Sequence, residues 1–157
     1  MTHLRVPIWT FISNCFDGAG TAYVYLWISK KWRVVYVGQT NNAIGTIGRA
    51  YGHLGSGGTL RYLFEDVVGV RLEEADDLFL VSYALPQEAE YIGEESSYRE
   101  AIEYLVLYKL TFIRGQLEPT FKLISGNRYS SRASIPRVER YAEAIVNDFQ
   151  ANYTALS

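Results

Sequence analysis

Two rhythms of apolar residues run along this chain. Residues 22–29, Ala-Tyr-Val-Tyr-Leu-Trp-Ile-Ser, and 32–37, Trp-Arg-Val-Val-Tyr-Val, are β-branched and aromatic, which suits a pleated, half-buried surface. Lys30 and Lys31 lie between them, and the pair reads as an antiparallel hairpin. Gly38 to Asn42 reads as a turn segment. Beyond it the period lengthens: Ile44, Ile47, Tyr51 and Leu54 recur at helical spacing and predict a helix over about 44–54. The Gly-Ser-Gly-Gly stretch at 55–58 ends it, since glycine readily takes the left-handed conformation that stops a helix. A short helix near 59–66 follows, then a strand over 78–85 stopped by Pro86. Ser97 and Glu100 have capping-box spacing at the start of a helix over about 98–113, with Ile102, Leu105 and Val106 on its buried face. Over 136–152, Val138, Tyr141, Ala142, Ile145, Val146 and Phe149 share one helical stripe.

These elements predict an α+β layer arrangement, a small three-stranded antiparallel sheet flanked by helices. An N-terminal extension (1–20) precedes it, with residues 4–12 as a candidate strand and 14–20 as a turn. A C-terminal helix (136–153) follows. Phe121–Ser125 is a candidate for an extra strand.

A length of 157 residues holds one domain, and 13 Tyr, 7 Phe and 3 Trp supply a core. The lone Cys15 excludes an intrachain disulfide and is read as a small buried residue; no Cys/His cluster has zinc-ligand spacing. No apolar run reaches membrane-span length and no signal-peptide pattern opens the chain, so a soluble, intracellular (cytoplasmic) protein is expected.

The net charge is -2, but the charges are grouped. Residues 1–61 hold six basic groups against Asp17, residues 65–103 hold twelve acids against Arg71 and Arg99, and residues 109–140 hold seven basic groups against two acids. Two basic segments can fold into one positive face for nucleic acid; solvated surface charge is the ordinary alternative.

Several residues can carry chemistry. Tyr25 and Tyr36 stand eleven apart with a hairpin turn between them, so both phenols can meet on one face of the sheet. Arg49 and His53, four apart, project from one side of the first helix, a guanidinium to grip phosphate beside an imidazole to exchange protons. Glu103 interrupts the run Ala101-Ile102-Glu103-Tyr104-Leu105-Val106-Leu107, either on a solvated face or as a hard oxygen ligand for Mg²⁺. Singly, each has an ordinary structural explanation.

Jointly they form a pattern. Tyr23-Val24-Tyr25 and Tyr36-Val37-Gly38, followed by Gln39-Thr40, Arg49-x-x-x-His53 and Glu103, resemble the motifs of the GIY-YIG nuclease superfamily over about residues 22–125. The resemblance implies a metal-dependent endonuclease that hydrolyses DNA phosphodiester bonds with one Mg²⁺ (or Mn²⁺) on Glu103. It implies Arg49 on the phosphate and Tyr25 as general base, supported by Tyr36 or His53. Since a phenol near pKa ~10 is a weak base, positive charge must lower that value; Arg49, the metal and Lys30 or Lys31 are the candidates. Lys30, Lys31, Arg61, Lys122, Arg128 and Arg132 are the candidate DNA contacts.

Three departures mark this chain. Tyr23 stands where the family's first glycine is usual, about three extra residues precede Arg49, and no Asn follows Pro119 as a closing residue, leaving Asn127 as a substitute. A non-catalytic nucleic-acid-binding module with the same fold is the alternative. A homo-oligomer or a separate targeting partner is compatible with either.

Overall fold

A computed structural model describes residues 20–126 and 128–156. The expectations for residues 4–12, for Cys15 and for Asn127 lie outside them. The elements in chain order are β1 (Tyr23–Ser29), β2 (Val34–Thr40), α1 (Gly45–Leu54), α2 (Thr59–Val68), β3 (Phe79–Ala84), α3 (Ala89–Ile92), α4 (Ser97–Ile113), β4 (Lys122–Leu123) and α5 (Pro136–Asn152).

The chain is α+β, as its two apolar rhythms predict, but the sheet has four strands and is mixed. Its order is β3-β1-β2-β4, with β1 antiparallel to both neighbours and β4 parallel to β2. The three-stranded expectation is corrected by the Phe121–Ser125 segment. Lys122 N–H donates to Arg33 O at 2.8 Å and Ile124 N–H to Val35 O at 3.0 Å, so this segment pairs the β2 edge that would otherwise lie bare. Pairing stops at Val35, and Val37 N–H is met instead by Ser125 Oγ at 2.6 Å.

Every residue of β1 is buried because helices cover both faces of the sheet. Val24, Leu26, Ile28, Val35 and Val37 pack against α4 and α5 through Ile102, Val106, Leu110, Val138, Ile145 and Phe149. On the other face Tyr25, Trp27, Val34 and Tyr36 meet Leu60 and Phe64 of α2 and Leu72 beyond it. Each such side chain, fully buried, contributes about 1.5–3 kcal/mol.

Several local expectations change. The hairpin turn spans four residues rather than two, with Ser29 paired to Val34, Trp32 and Arg33 inside the turn, and Arg33 at φ 53°. β2 runs on through Thr40, so Gly38–Thr40 is strand, not turn. The 55–58 glycines do not end α1 by a left-handed residue: Gly55 is extended at φ -67°. Gly58 is needed instead because a Cβ there would strike the carbonyl oxygens of Gly52 and His53. The left-handed glycine is Gly69, at φ 81°, which closes α2 by donating its N–H to Glu65 O at 3.0 Å. The Ser97/Glu100 capping box does not form: Ser97 lies within α4, its N–H and hydroxyl bond the Glu95 carboxylate, and Ser96 Oγ donates to Glu100 Oε1 at 3.0 Å.

The largest reversal is in α1. A helical apolar stripe normally turns inward, yet Ile44, Ile47, Tyr51 and Leu54 are all exposed and the buried residues are Gly45, Thr46 and His53. The helix therefore presents its polar face to the sheet. Among the described residues, no helix is long and apolar enough to cross a membrane.

Candidate active site

The β1–β2 register decides what meets on the open face. Tyr25 pairs with Gly38 and Trp27 with Tyr36, so both phenols rise on the side that α1 and α2 cover. Tyr25 leans over Gly38 so closely that a Cβ at that glycine would overlap the ring, with Cε2 at 2.7 Å and Cζ and the hydroxyl nearer still. The glycine of Tyr36-Val37-Gly38 is thus explained by the tyrosine of Tyr23-Val24-Tyr25.

Inverted burial of α1 brings His53 beneath the two rings. His53 is 1% exposed, and its Nε2 lies 2.5 Å from the Tyr25 hydroxyl. Its ring also packs edge-on against Tyr36, with centroids 5.1 Å apart at 69°. Arg49, one turn earlier, stays exposed, and its charge acts to lower the Tyr25 phenol.

Glu103 arrives from the opposite layer. α4 packs on the far face of the sheet, and β4 is too short to cover β2 beyond Val35. At that open edge a cavity of about 430 Å³ is lined by Tyr25, Tyr36, Gly38, Gln39, Arg49, Thr59, Glu100, Glu103, Gly126 and Arg128. The two phenols, Arg49 and Glu103 therefore face one space, with His53 behind them.

The electrostatics follow from burial. Desolvation and the neighbouring Tyr36 push the Tyr25 phenol well above its ordinary value, while Arg49 pulls the other way. Desolvation, reinforced by Glu103, pushes Tyr36 up to about 12. Burial and Arg49 hold His53 down to about 4. At neutral pH the resting pair is therefore a phenol and a neutral imidazole. Burial, with Glu100 adding to it, raises the Glu103 carboxyl to about 7, so it sits poised between charge states.

Lys30 and Lys31 do not supply the charge expected of them near Tyr25. Lys30 Nζ donates to Thr154 O at 3.3 Å and to Leu156 O and lies 4.9 Å over the Tyr153 ring, while Lys31 pairs with Asp76 at 3.2 Å. Arg61 is likewise engaged, donating to Leu54 O and to Glu65 and Glu73. Arg132 lies over Tyr98 at 5.1 Å. Of the six candidate DNA contacts, Arg128 lines the cavity and Lys122 a second groove on the same edge.

Sequence reasoning missed Gln39 and Arg99 as a unit. Arg99, 4% exposed, donates from Nε to Gln39 Oε1 at 2.8 Å and from Nη1 to Tyr91 O and Gly93 O, both at 2.7 Å. This fixes the Gln39 amide at the cavity wall. The available signal was Arg99 itself, a basic residue inside an acidic run.

The donors present fit a single hard divalent cation. Glu103 makes no hydrogen bond or ion pair with the described residues, it faces a cavity with room for water, and Mg²⁺ commonly takes one or two carboxylates with water and phosphate oxygens. Among the described residues no cluster of three or more His, Cys, Asp or Glu forms a fuller cage. No protein family, curated protein or solved structure matches the chain.

Proposed function

We propose that this protein is a GIY-YIG-like endonuclease that hydrolyses DNA phosphodiester bonds. The observation that carries this reading is convergence. Tyr25, Tyr36, Arg49 and Glu103, from four separate elements and both layers, surround one cavity, with a buried histidine bonded to the first of them.

Hydrolysis requires an activated water, charge relief on the phosphate and help for the leaving oxygen. Glu103 would hold a Mg²⁺ or Mn²⁺ ion, which would supply Lewis-acid charge to a bound phosphodiester. Arg49, exposed at the cavity rim and free of a carboxylate among the described residues, binds a non-bridging oxygen. The Gln39 amide, held by Arg99, is a further donor to the phosphate.

The proton path runs through Tyr25. Because the phenol is raised and the imidazole lowered, a resting phenolate is disfavoured. The Tyr25 oxygen instead takes the proton of the attacking water as its own proton passes to His53 Nε2, 2.5 Å away. Hydroxide forms only as it attacks phosphorus, and the leaving oxygen departs opposite. Tyr36 holds the imidazole edge-on in the orientation this relay needs.

Incubation of the purified protein with supercoiled plasmid and Mg²⁺ tests the reading. Wild type is expected to nick or linearise the DNA. Tyr25→Phe should lose activity by at least about 100-fold with an unchanged circular dichroism spectrum, and Glu103→Ala should lose the response to metal. Failure of wild type to cut either supercoiled plasmid or single-stranded DNA in both Mg²⁺ and Mn²⁺ refutes the nuclease and leaves the binding module.

A further inference from the structure

Helix α4 carries a second feature that the hydrolytic chemistry does not use. Tyr104, Tyr108 and Phe112 are spaced four apart and so form one stripe. Tyr104 and Tyr108 stack at 6.2 Å, Tyr108 and Phe112 meet edge-on at 4.9 Å, and Tyr129 meets Tyr104 edge-on at 5.3 Å. Tyr108 is 49%, Phe112 65% and Tyr129 66% exposed. A single exposed ring is ordinary, but a contiguous aromatic row in water marks a contact surface.

Its two ends identify the occupant. At one end, Glu103 adjoins Tyr104 and Arg128 adjoins Tyr129, and both outer residues line the active-site cavity. At the other, Phe112 lines a groove of about 760 Å³ that also takes in Arg33, Arg114 and Lys122. Eight residues of α-helix from Tyr104 to Phe112 span about 12 Å, or three to four base steps of about 3.4 Å. Rings between Arg128, exposed and 3.8 Å from Glu100, and the Arg33, Arg114 and Lys122 set match a strand whose bases are free to stack and whose phosphates seek charge. A duplex keeps its bases stacked inside and offers such rings little.

We infer that the α4 aromatic row and the groove beyond Phe112 hold an unpaired DNA strand leading into the active-site cavity, so that the preferred substrate is single-stranded or has an unpaired flank at the scissile bond. The inference rests on the nuclease reading for its direction, since the row matters to cleavage only if the cavity cuts.

Fluorescence anisotropy in EDTA, with a labelled oligothymidylate and a duplex of equal length, tests binding apart from chemistry. Wild type is expected to favour the single strand. Tyr108→Ala and Phe112→Ala should each weaken single-strand binding by about five-fold or more while leaving duplex affinity and the salt dependence unchanged. Phe112→Trp should retain it. Lys122→Ala should weaken both substrates and flatten the salt slope by about 1. Both rings are exposed, so melting temperatures near wild type serve as the folding control.

Equal or tighter duplex binding by wild type overturns the inference. So do ring variants that bind single strands normally, including variants that change only self-association and so mark the row as a protein contact. The readings separate cleanly. Ring-dependent single-strand binding without Mg²⁺-dependent cleavage of plasmid or single strand sinks the nuclease and leaves only the strand-binding row, whereas plasmid nicking with ring-independent binding sinks this inference alone.

Discussion

Gly38 faces Tyr25 across the β1–β2 ladder, and the space a Cβ needs is already filled by the phenol. Gly38→Ala must therefore move the tyrosine or strain the strand. Overpacking of this kind costs about 1–3 kcal/mol, which the sheet can absorb, while a misplacement of about 1 Å at a reacting group costs on the order of 100-fold in rate. The expected variant is folded and nearly inactive, as read by thermal melting beside plasmid nicking. An active Gly38→Ala would mean that the Tyr25 position is not critical. Glu103 and His53 make a second case, because their shifts oppose each other in pH. Glu103, raised from 4.5 to about 7, holds a proton that the unfolded chain has lost, so its contribution to stability falls as pH rises through that window. His53, lowered from 6.5 to about 4, refuses a proton that the unfolded chain takes up, so its contribution falls as pH drops from 6.5 towards 4. At full expression the histidine effect is about 3 kcal/mol, and that of Glu103, which keeps contact with water, is smaller. Glu103→Gln should stabilise the metal-free protein above pH 7 and unmask the rise in stability between pH 4 and 6.5, by urea titration at several pH values. A flat profile in that variant argues against a buried neutral His53.

Helix α1 shows why a motif can survive an incorrect view of its element. The helix is where its spacing predicts, yet its apolar stripe faces out and the side bearing Gly45, Thr46 and His53 faces in. The explanation lies in the small residues Gly45 and Thr46, which let the helix sit close to β1 and β2, and in His53, whose burial is supported by Tyr25. Arg61 holds the end of this helix, donating to Leu54 O at 2.9 and 3.1 Å while its guanidinium pairs with Glu65 and Glu73. Arg61→Ala should lower the melting temperature by a few degrees and reduce cleavage through loosening of α1. Its DNA affinity at low temperature should stay unchanged, as measured by anisotropy. Loss of affinity with an unaltered melting temperature would instead make Arg61 a phosphate contact.

At the scale of the whole molecule, what the sequence made legible was local. Strand composition and helical period placed β1, β2, α1, α4 and α5, and the spacing of Tyr25, Tyr36, Arg49, His53 and Glu103 named the residues that the fold brings together. Long-range pairing was not legible. The two backbone bonds that seat β4 on Val34 and Val35 leave no mark beyond a short apolar run, and the Arg99–Gln39 contact joins residues sixty positions apart. The exposed aromatic row was hidden for a related reason, since α4 is apolar nearly all round and only packing reveals which side is left in water.

The cavity's walls have one further consequence. Its phenols come from the hairpin, its arginine from α1 and its carboxylate from a helix that begins only at Ser97, with Arg128 later still. A chain emerging from the ribosome folds from its N-terminal side, so the hairpin can pair and α1 can dock before Glu100 and Glu103 are made. Until α4 is made, the hairpin and α1 hold the Tyr25–His53 pair without Glu103. If the cavity cuts as proposed, cleavage is expected only after α4 has packed beneath the hairpin, and a chain ending before Ser97 is expected to leave plasmid intact.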